Sequence, residues 1–306
     1  MMKKLTDDEF IEEIRKRFED KEKALSDIRM MTKKLEEVNA RLQESEALKS
    51  NFLSNIKNEL NNPMTAIMGL SAQLSENALT LDCADIASIA ALIHEESFVM
   101  DFQLKNIFMA AELESGETTL THVMVDMVSL ISSIIDSFSK MAAKKGVTIS
   151  FSPVFAQETE VNANEFFFVT DSEKLQLIMT NLISNAIEFS KEGGTVEIKL
   201  SKADGLLHIV VKDYGIGISN KNLRAIFDRF VQVDFGLMKA HKGHGLGLSI
   251  VRTLVDLING KITVDSEIDK WTEFTLTLQE LEGQVDMDSF SSEGNDFLFD
   301  DDEQQF

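Results

Sequence analysis

Apolar residues in the first fifty positions recur in a 3-4 alternation, Ile14, Ala24, Ile28, Met31, Leu35, Val38 and Leu42, among charged neighbours. That spacing is the seam of a coiled coil. It is ragged before Ala24, where Arg17 and Lys21 fall on seam positions and would set like charges face to face, so a dimeric coiled coil is expected only from about Ala24. The same phase, loosened at Ser45 and Lys49, runs on to Phe52 and Ile56 and carries the helix into the next segment without a break. There Phe52, Leu53, Ile56, Leu60, Met64, Ile67 and Leu74 share one broad face, and Pro63 predicts a kink because it removes a backbone donor. A second helix is expected from about Leu81 to Leu113, with Ile86, Ile89, Ile93, Met100, Leu104, Ile107 and Ala111 at core spacing and Gly116 as a C-cap. Two such hairpins bury their stripes by forming a four-helix bundle, which implies a parallel homodimer.

Beyond a linker the period changes. One helix is predicted from about Met127 to Lys144, then alternating runs at Val147–Phe151, Thr195–Leu200, Leu206–Val211, Lys261–Val264 and Phe274–Leu278 read as strands. Helical segments near Asp171–Phe189 and Gly247–Ile258 are interleaved with them, the pattern of an α/β sandwich. The expected fold class is therefore multidomain α and α/β: a coiled coil over 1–48, a helical hairpin over 49–118, an α/β domain over 119–281, and a tail over 282–306.

Composition narrows the partners. The 306 residues are 43% hydrophobic, enough for one sizeable core plus a helical appendage. A net charge of −22 argues against nucleic acid or an anionic membrane surface as partner. No apolar run reaches the roughly 18–20 residues that span a bilayer, and Met1-Met2-Lys3-Lys4 leads into Asp7-Asp8-Glu9 without a signal-peptide core, so the chain reads as soluble and cytoplasmic. The single Cys83 is a small helix residue, and its solitude fits a reducing compartment. From Glu282 onward the chain is acidic, lacks Lys and Arg, and embeds Phe290, Phe297, Leu298 and Phe299, which reads as a disordered tail or a docking peptide.

Four motifs stand in order within the α/β region. In Asn181-Leu182-Ile183-Ser184-Asn185-Ala186 the asparagines are i and i+4 on a helix, so their amides point the same way. An amide carbonyl is a neutral oxygen ligand suited to a Mg²⁺ ion that keeps most of its waters. Asp213-Tyr214-Gly215-Ile216-Gly217-Ile218 follows a strand and places a carboxylate at its end, beside glycines that let the backbone pass close to a ligand. Ile226-Phe227-Asp228-Arg229-Phe230 comes next, and Gly243-His244-Gly245-Leu246-Gly247-Leu248 opens a helix whose glycine amides can donate to phosphate. From about Val125 to Leu278 these motifs resemble the ATP-binding fold shared by histidine kinases, gyrase-type topoisomerases and heat-shock chaperone ATPases. The resemblance implies ATP and Mg²⁺ as cofactors, with Asn185 as the metal ligand and Asn181 supporting it. It further implies that Asp213 accepts from the adenine amine, that Gly215 and Gly217 line the base, and that Lys242, Gly243, Gly245 and Gly247 cover the phosphates. The family often carries Lys or Arg three residues after the metal-binding asparagine, where Glu188 stands here, so weakened or metal-dependent ATP affinity is expected.

The segment Asn51-Phe52-Leu53-Ser54-Asn55-Ile56-Lys57-Asn58-Glu59-Leu60-Asn61-Asn62-Pro63 resembles the phosphoacceptor box of sensor histidine kinases, with Asn58 at the place of the phosphate-accepting histidine. An amide nitrogen has its lone pair delocalised into the carbonyl and is no phosphoryl acceptor. Glu59 and Asn62 match the pattern that the family associates with dephosphorylating a response regulator. His94, followed by Glu95, imitates the missing site on the wrong helix, and His122 and His208 offer nothing specific. Three readings follow: a degenerate relative that regulates a partner through ATP binding and dimer conformation; an enzyme, either a phosphatase using Glu59 and Asn62 or a kinase of histidine on another protein; or an autokinase whose histidine was replaced deliberately. The expected partners are a second copy, and a receiver domain or another signalling kinase.

Overall fold

A computed structural model describes residues 7–154, 166–203, 205–229 and 245–280; within the first helix it leaves aside the side chains of 7–14, 19, 24, 41, 44–45, 47–53, 55, 58 and 59. The chain divides into two units, Met1–Ile56 and Lys57–Phe306. The first is helical, the beginning of α1 (Asp7–Asn77). Its seam residues Ile28, Met31, Leu35, Val38 and Leu42 stand between 58% and 70% exposed in the single chain. Ile14 and Ala24 lie outside the described side chains.

In the second unit α1 continues through Pro63 to Asn77, and a turn closed by the Thr80 and Leu81 amides on the Asn77 carbonyl leads to α2 (Cys83–Ser115). Asp82 caps α2 by accepting from the Asp85 amide, and Gly116, at φ 72°, ends it by donating to the Glu112 carbonyl. Of the expected α2 core positions, Ile89 is buried, Ile93, Met100, Leu104 and Ile107 are half-buried, and Ile86 and Ala111 are exposed. The other buried residue of α2 is polar, Asn106.

The α/β domain follows as β1 (Val123–Asp126), α3 (Met127–Ser137), α4 (Ser139–Lys145), β2 (Thr148–Val154), β3 (Phe167–Thr170), α5 (Ser172–Phe189), β4 (Thr195–Ala203), β5 (Leu206–Asp213), a 3-10 turn (Ala225–Phe227), α6 (Gly247–Leu257), β6 (Lys261–Glu267) and β7 (Trp271–Gln279). Five strands form one sheet in the order β2-β4-β5-β7-β6, with β2 parallel to β4 and the others antiparallel; β1 and β3 pair antiparallel beside it. Alternation along the strands sends Val196, Ile198 and Leu200, Leu207, Ile209 and Val211, and Phe274, Leu276 and Leu278 into the core. Against this face pack Ile131 and Ile134 of α3, Ile178, Leu182 and Ile183 of α5, and Val251, Leu254 and Val255 of α6, all buried. The opposite face carries the cross-strand row Glu197, Lys212 and Glu273, in which Lys212 pairs with Glu273 at 3.0 Å and lies 4.2 Å from the centre of the Trp271 ring. The α/β sandwich expected from the alternating pattern is therefore present.

Two expectations change. The single helix predicted over 127–144 is two, broken at Phe138. The break has a packing reason: Phe138 is fully buried and meets Phe98 of α2 edge to face, with ring centres 5.4 Å apart. Strands β1 and β3 add to the predicted elements; at four residues each they are too short to show a period. Replacing Phe138 with Ala removes a filled core position and should destabilise the domain by about 3–5 kcal/mol, read as a lowered denaturant midpoint with the slope retained.

Candidate functional site

The site is built at the ends of α5, β5 and α6. Helix α5 is capped by Asp171, whose carboxylate accepts from the Lys174 amide, and it is buried over most of its surface. A helix so enclosed must answer each of its polar side chains from within the fold. Thr180 donates to the Gln176 carbonyl, and Asn181, 4% exposed, donates to the Leu177 carbonyl at 2.9 Å and to Asn106 Oδ1 at 2.8 Å. One turn on, Asn185 is half-buried. The Asn181 oxygen faces α6, where a Cβ added to Gly247 would lie 2.5 Å from it. Glycine at that position is what allows the start of α6 to approach the asparagine. The Leu246 N-cap makes no side-chain hydrogen bond, so the first amides of α6 carry no side-chain cap.

Asp213 ends β5 and is buried. Its Oδ1 accepts from the Gly215 amide at 3.0 Å. Burial pushes its carboxyl up to about 7, against the lowering effect of that amide and of the Lys145 charge. Gly215 bridges to Ser190, and the Ile216 amide donates to the Phe189 carbonyl, which lies where a Cβ on Gly215 would go. Gly217 has φ 66°, a conformation that favours glycine, and it packs against the Glu267 carbonyl. The loop is pinned from β6 as well, since the Ile218 amide donates to Ser266 Oγ at 2.8 Å and the Asp269 amide to the Ile216 carbonyl.

The structure thus brings Gly247 against Asn181 and Gly215 against Asp213 and the end of α5, with Asn185 one turn beyond Asn181, Gly217 on the loop after β5, and Gly245, at φ 65°, two residues before α6. Lys242 and Gly243 lie outside the described residues, as do His241, His244, Phe230 and the acidic tail. Asn58 and Glu59 lie on α1, their side chains outside the described set, and the Asn62 side chain is exposed. Among the described residues no group of His, Cys, Asp and Glu could hold a metal ion.

Four residues of the site escaped the sequence reading. Lys145, at the end of α4, donates to the carbonyls of Ile187 and Glu188. Burial pushes its ammonium down while Glu188 and Asp213 hold it up, so a cation stands beside Glu188 after all, brought from a different helix. Ser190 is 4% exposed with an unpaired hydroxyl beside Gly215. Thr272 faces Asp213 across the β5–β7 register and shares a hydrogen bond with Ser266. Asn106 comes from the hairpin. Only Ser190 carried a local signal, its place directly after the α5 pattern.

Residues 170–282 match the family model described as histidine kinase-, DNA gyrase B-, and HSP90-like ATPase. That stretch carries an ATPase domain of this kind. The similarity of the chain extends beyond that domain. The circadian input-output histidine kinase CikA of Synechocystis is 30% identical over 250 residues, covering 81% of this chain and 32% of that protein. The aerobic respiration control sensor protein ArcB of Escherichia coli is 32% identical over 232 residues, 75% of this chain and 28% of that one. The chain thus spans about a third of the length of these relatives. Among solved structures, full-length ShkA in complex with AMPPNP aligns at a TM-score of 0.51 and 22% identity over 75% of this chain and 47% of that one, a likeness of fold. No helix among the described residues is long and apolar enough to cross a membrane.

The Asp213 proton gives a stability test within the ATPase domain. Its carboxyl titrates near 7 in the folded state against 3.8 ordinarily, so between these values the folded protein holds a proton that the unfolded chain has released. Stability should therefore fall as pH rises through that window, and Asp213→Asn should flatten the slope in denaturant midpoints measured against pH.

Proposed function

We propose that this protein binds ATP with Mg²⁺ and works in two-component signalling as a histidine kinase relative that does not phosphorylate itself at Asn58. The nucleotide reading is supported by α5, which carries both asparagines, meets the glycine start of α6 at Asn181 and meets the glycine loop after the buried Asp213 at Phe189. In this reading Asp213 accepts from the adenine amine and Ser190 supplies a second polar group near the base. Asn185 holds the Mg²⁺, and the α6 amides together with Lys242, Gly243 and Gly245 take the phosphates. A Mg²⁺ held there would neutralise phosphate charge. Glu188 would repel the triphosphate, and Lys145 offsets it locally, so binding depends on the metal rather than being lost.

The acceptor is what this chain lacks. Asn58 offers an amide in place of imidazole, and phosphoryl transfer needs a nucleophile with an available lone pair. The exposed seam of Ile28, Met31, Leu35, Val38 and Leu42, together with exposed Met64 and Met68, supports a parallel homodimer that closes a coiled coil and a four-helix bundle. The partner is then a receiver domain or another signalling kinase, regulated through dimer conformation in the cytoplasm. A second reading rests on the exposed Asn62, three residues after Glu59 on α1: such a pair can position a water for dephosphorylating a receiver domain.

The purified protein incubated with γ-labelled ATP and Mg²⁺ should take no acid-labile label, whereas Asn58→His should take it; label on the unaltered chain would overturn the reading. Calorimetry should show Mg-ATP binding that Asn185→Ala and Asp213→Ala abolish without loss of helical content. Because the ionised Asp213 is the stronger acceptor for the adenine amine, affinity should fall as pH drops below about 7, and pH-independent binding between 6 and 8, an interval of about one unit on either side of that value, would remove Asp213 from the base site.

A further inference from the structure

The hairpin helix α2 reaches the ATPase domain through one side of its surface. Glu95 pairs with Lys144 at 3.4 Å, Phe98 packs on Phe138, Asn106 meets Asn181, and Glu114 pairs with Arg229 at 3.1 Å, beside the 3-10 turn. The two ion pairs are exposed and weak. Asn106 differs, since it is 8% exposed and lies on a helix whose only other buried residue is Ile89. Placing an amide in such a position is unfavourable unless its hydrogen bonds are met. They are met in one specific way. Asn106 Nδ2 donates to the Phe102 carbonyl one turn back at 3.0 Å, which turns its oxygen outward to accept from Asn181.

The consequence falls on Asn181. A side-chain amide has two protons to donate, and here one goes to Leu177 and the other to Asn106. Its oxygen is held against the start of α6 at Gly247. With α2 docked, Asn181 therefore has no amide proton left for a phosphate oxygen. The Leu177 bond is internal to α5 and persists in any state of the helix, so the proton that can be released is the one held by Asn106.

We propose that Asn106 is a positioning residue that restrains the nucleotide site: while α2 is docked it occupies the Asn181 amide, and binding of Mg-nucleotide competes with that contact and loosens α2 from the domain. The proposal rests on the nucleotide reading above and adds its regulation. Linkage makes the effect reciprocal, since whatever loosens α2 tightens nucleotide binding by the same factor. It also turns the ATPase domain into a sensor of the hairpin, because a change in α2 that withdraws Asn106 frees the site.

The test is calorimetric titration of the full chain with Mg-ATP, comparing the unaltered protein with Asn106→Ala and Phe98→Ala, joined to hydrogen exchange of residues 98–114 with and without nucleotide. Both variants should bind about three- to tenfold more tightly, the range of one net hydrogen bond, and nucleotide should raise exchange along α2 in the unaltered protein. Phe98→Ala loosens the helix eight residues from the amide pair, so it reads the same linkage should Asn106→Ala fold poorly. A purely structural role for Asn106 gives unchanged or weaker binding. That outcome, with the unaltered chain binding normally, overturns the proposal alone. Absence of binding in all three proteins overturns the nucleotide reading and this proposal together.

Discussion

The burial of α5 is the constraint on which the rest of this structure depends. Eleven of its eighteen residues are buried, among them Lys174, Thr180 and Asn181, so its polar groups cannot fall back on water. Each is answered at a defined place: Lys174 beside Asp171 at the cap, Thr180 on the backbone one turn earlier, Asn181 on Leu177 and on the hairpin. The same helix presents the paired amides and ends at Phe189, whose carbonyl receives the Ile216 amide. A single buried element therefore joins the asparagine pair to the glycine loop after β5. It leaves little freedom for either to move independently, because a packed interior resists continuous deformation.

Electrostatics in the site follow from that enclosure. Burial of Asp213 favours its neutral form, while the Gly215 amide, the Lys145 ammonium and its own backbone amide support ionisation. Lys145 is itself partly desolvated and is held charged by Glu188 and Asp213. The three groups form a balanced set. An acidic residue at 188, which alone would oppose a triphosphate, is tolerable beside a cation contributed by α4.

Much of the fold was legible because its signals are local. Alternation located the five strands of the main sheet within a few residues, and the i, i+4 asparagines together with the Asp-Tyr-Gly-Ile-Gly run marked the ends of α5 and β5. Where reading failed, the deciding contact was distant. The helix break falls at Phe138, whose buried ring packs on Phe98 of a different helix. Lys145 looked like one of several lysines at a helix end, and only the fold places it on the carbonyls of Ile187 and Glu188, more than forty residues on. Asn106 interrupts an apolar helix without any local sign of purpose.

By itself the sequence determined the helical front and α/β rear, the 3-4 apolar alternation at the front, and the four motifs in their order. These are properties of neighbouring residues, whose spacing follows from the 3.6-residue and 2-residue periods of the backbone. The tertiary structure alone decided what each buried polar group meets. The Asn106–Asn181 bond joins residues 75 apart, and no periodicity encodes it, because it exists only when two helices from different parts of the chain bring their buried faces together.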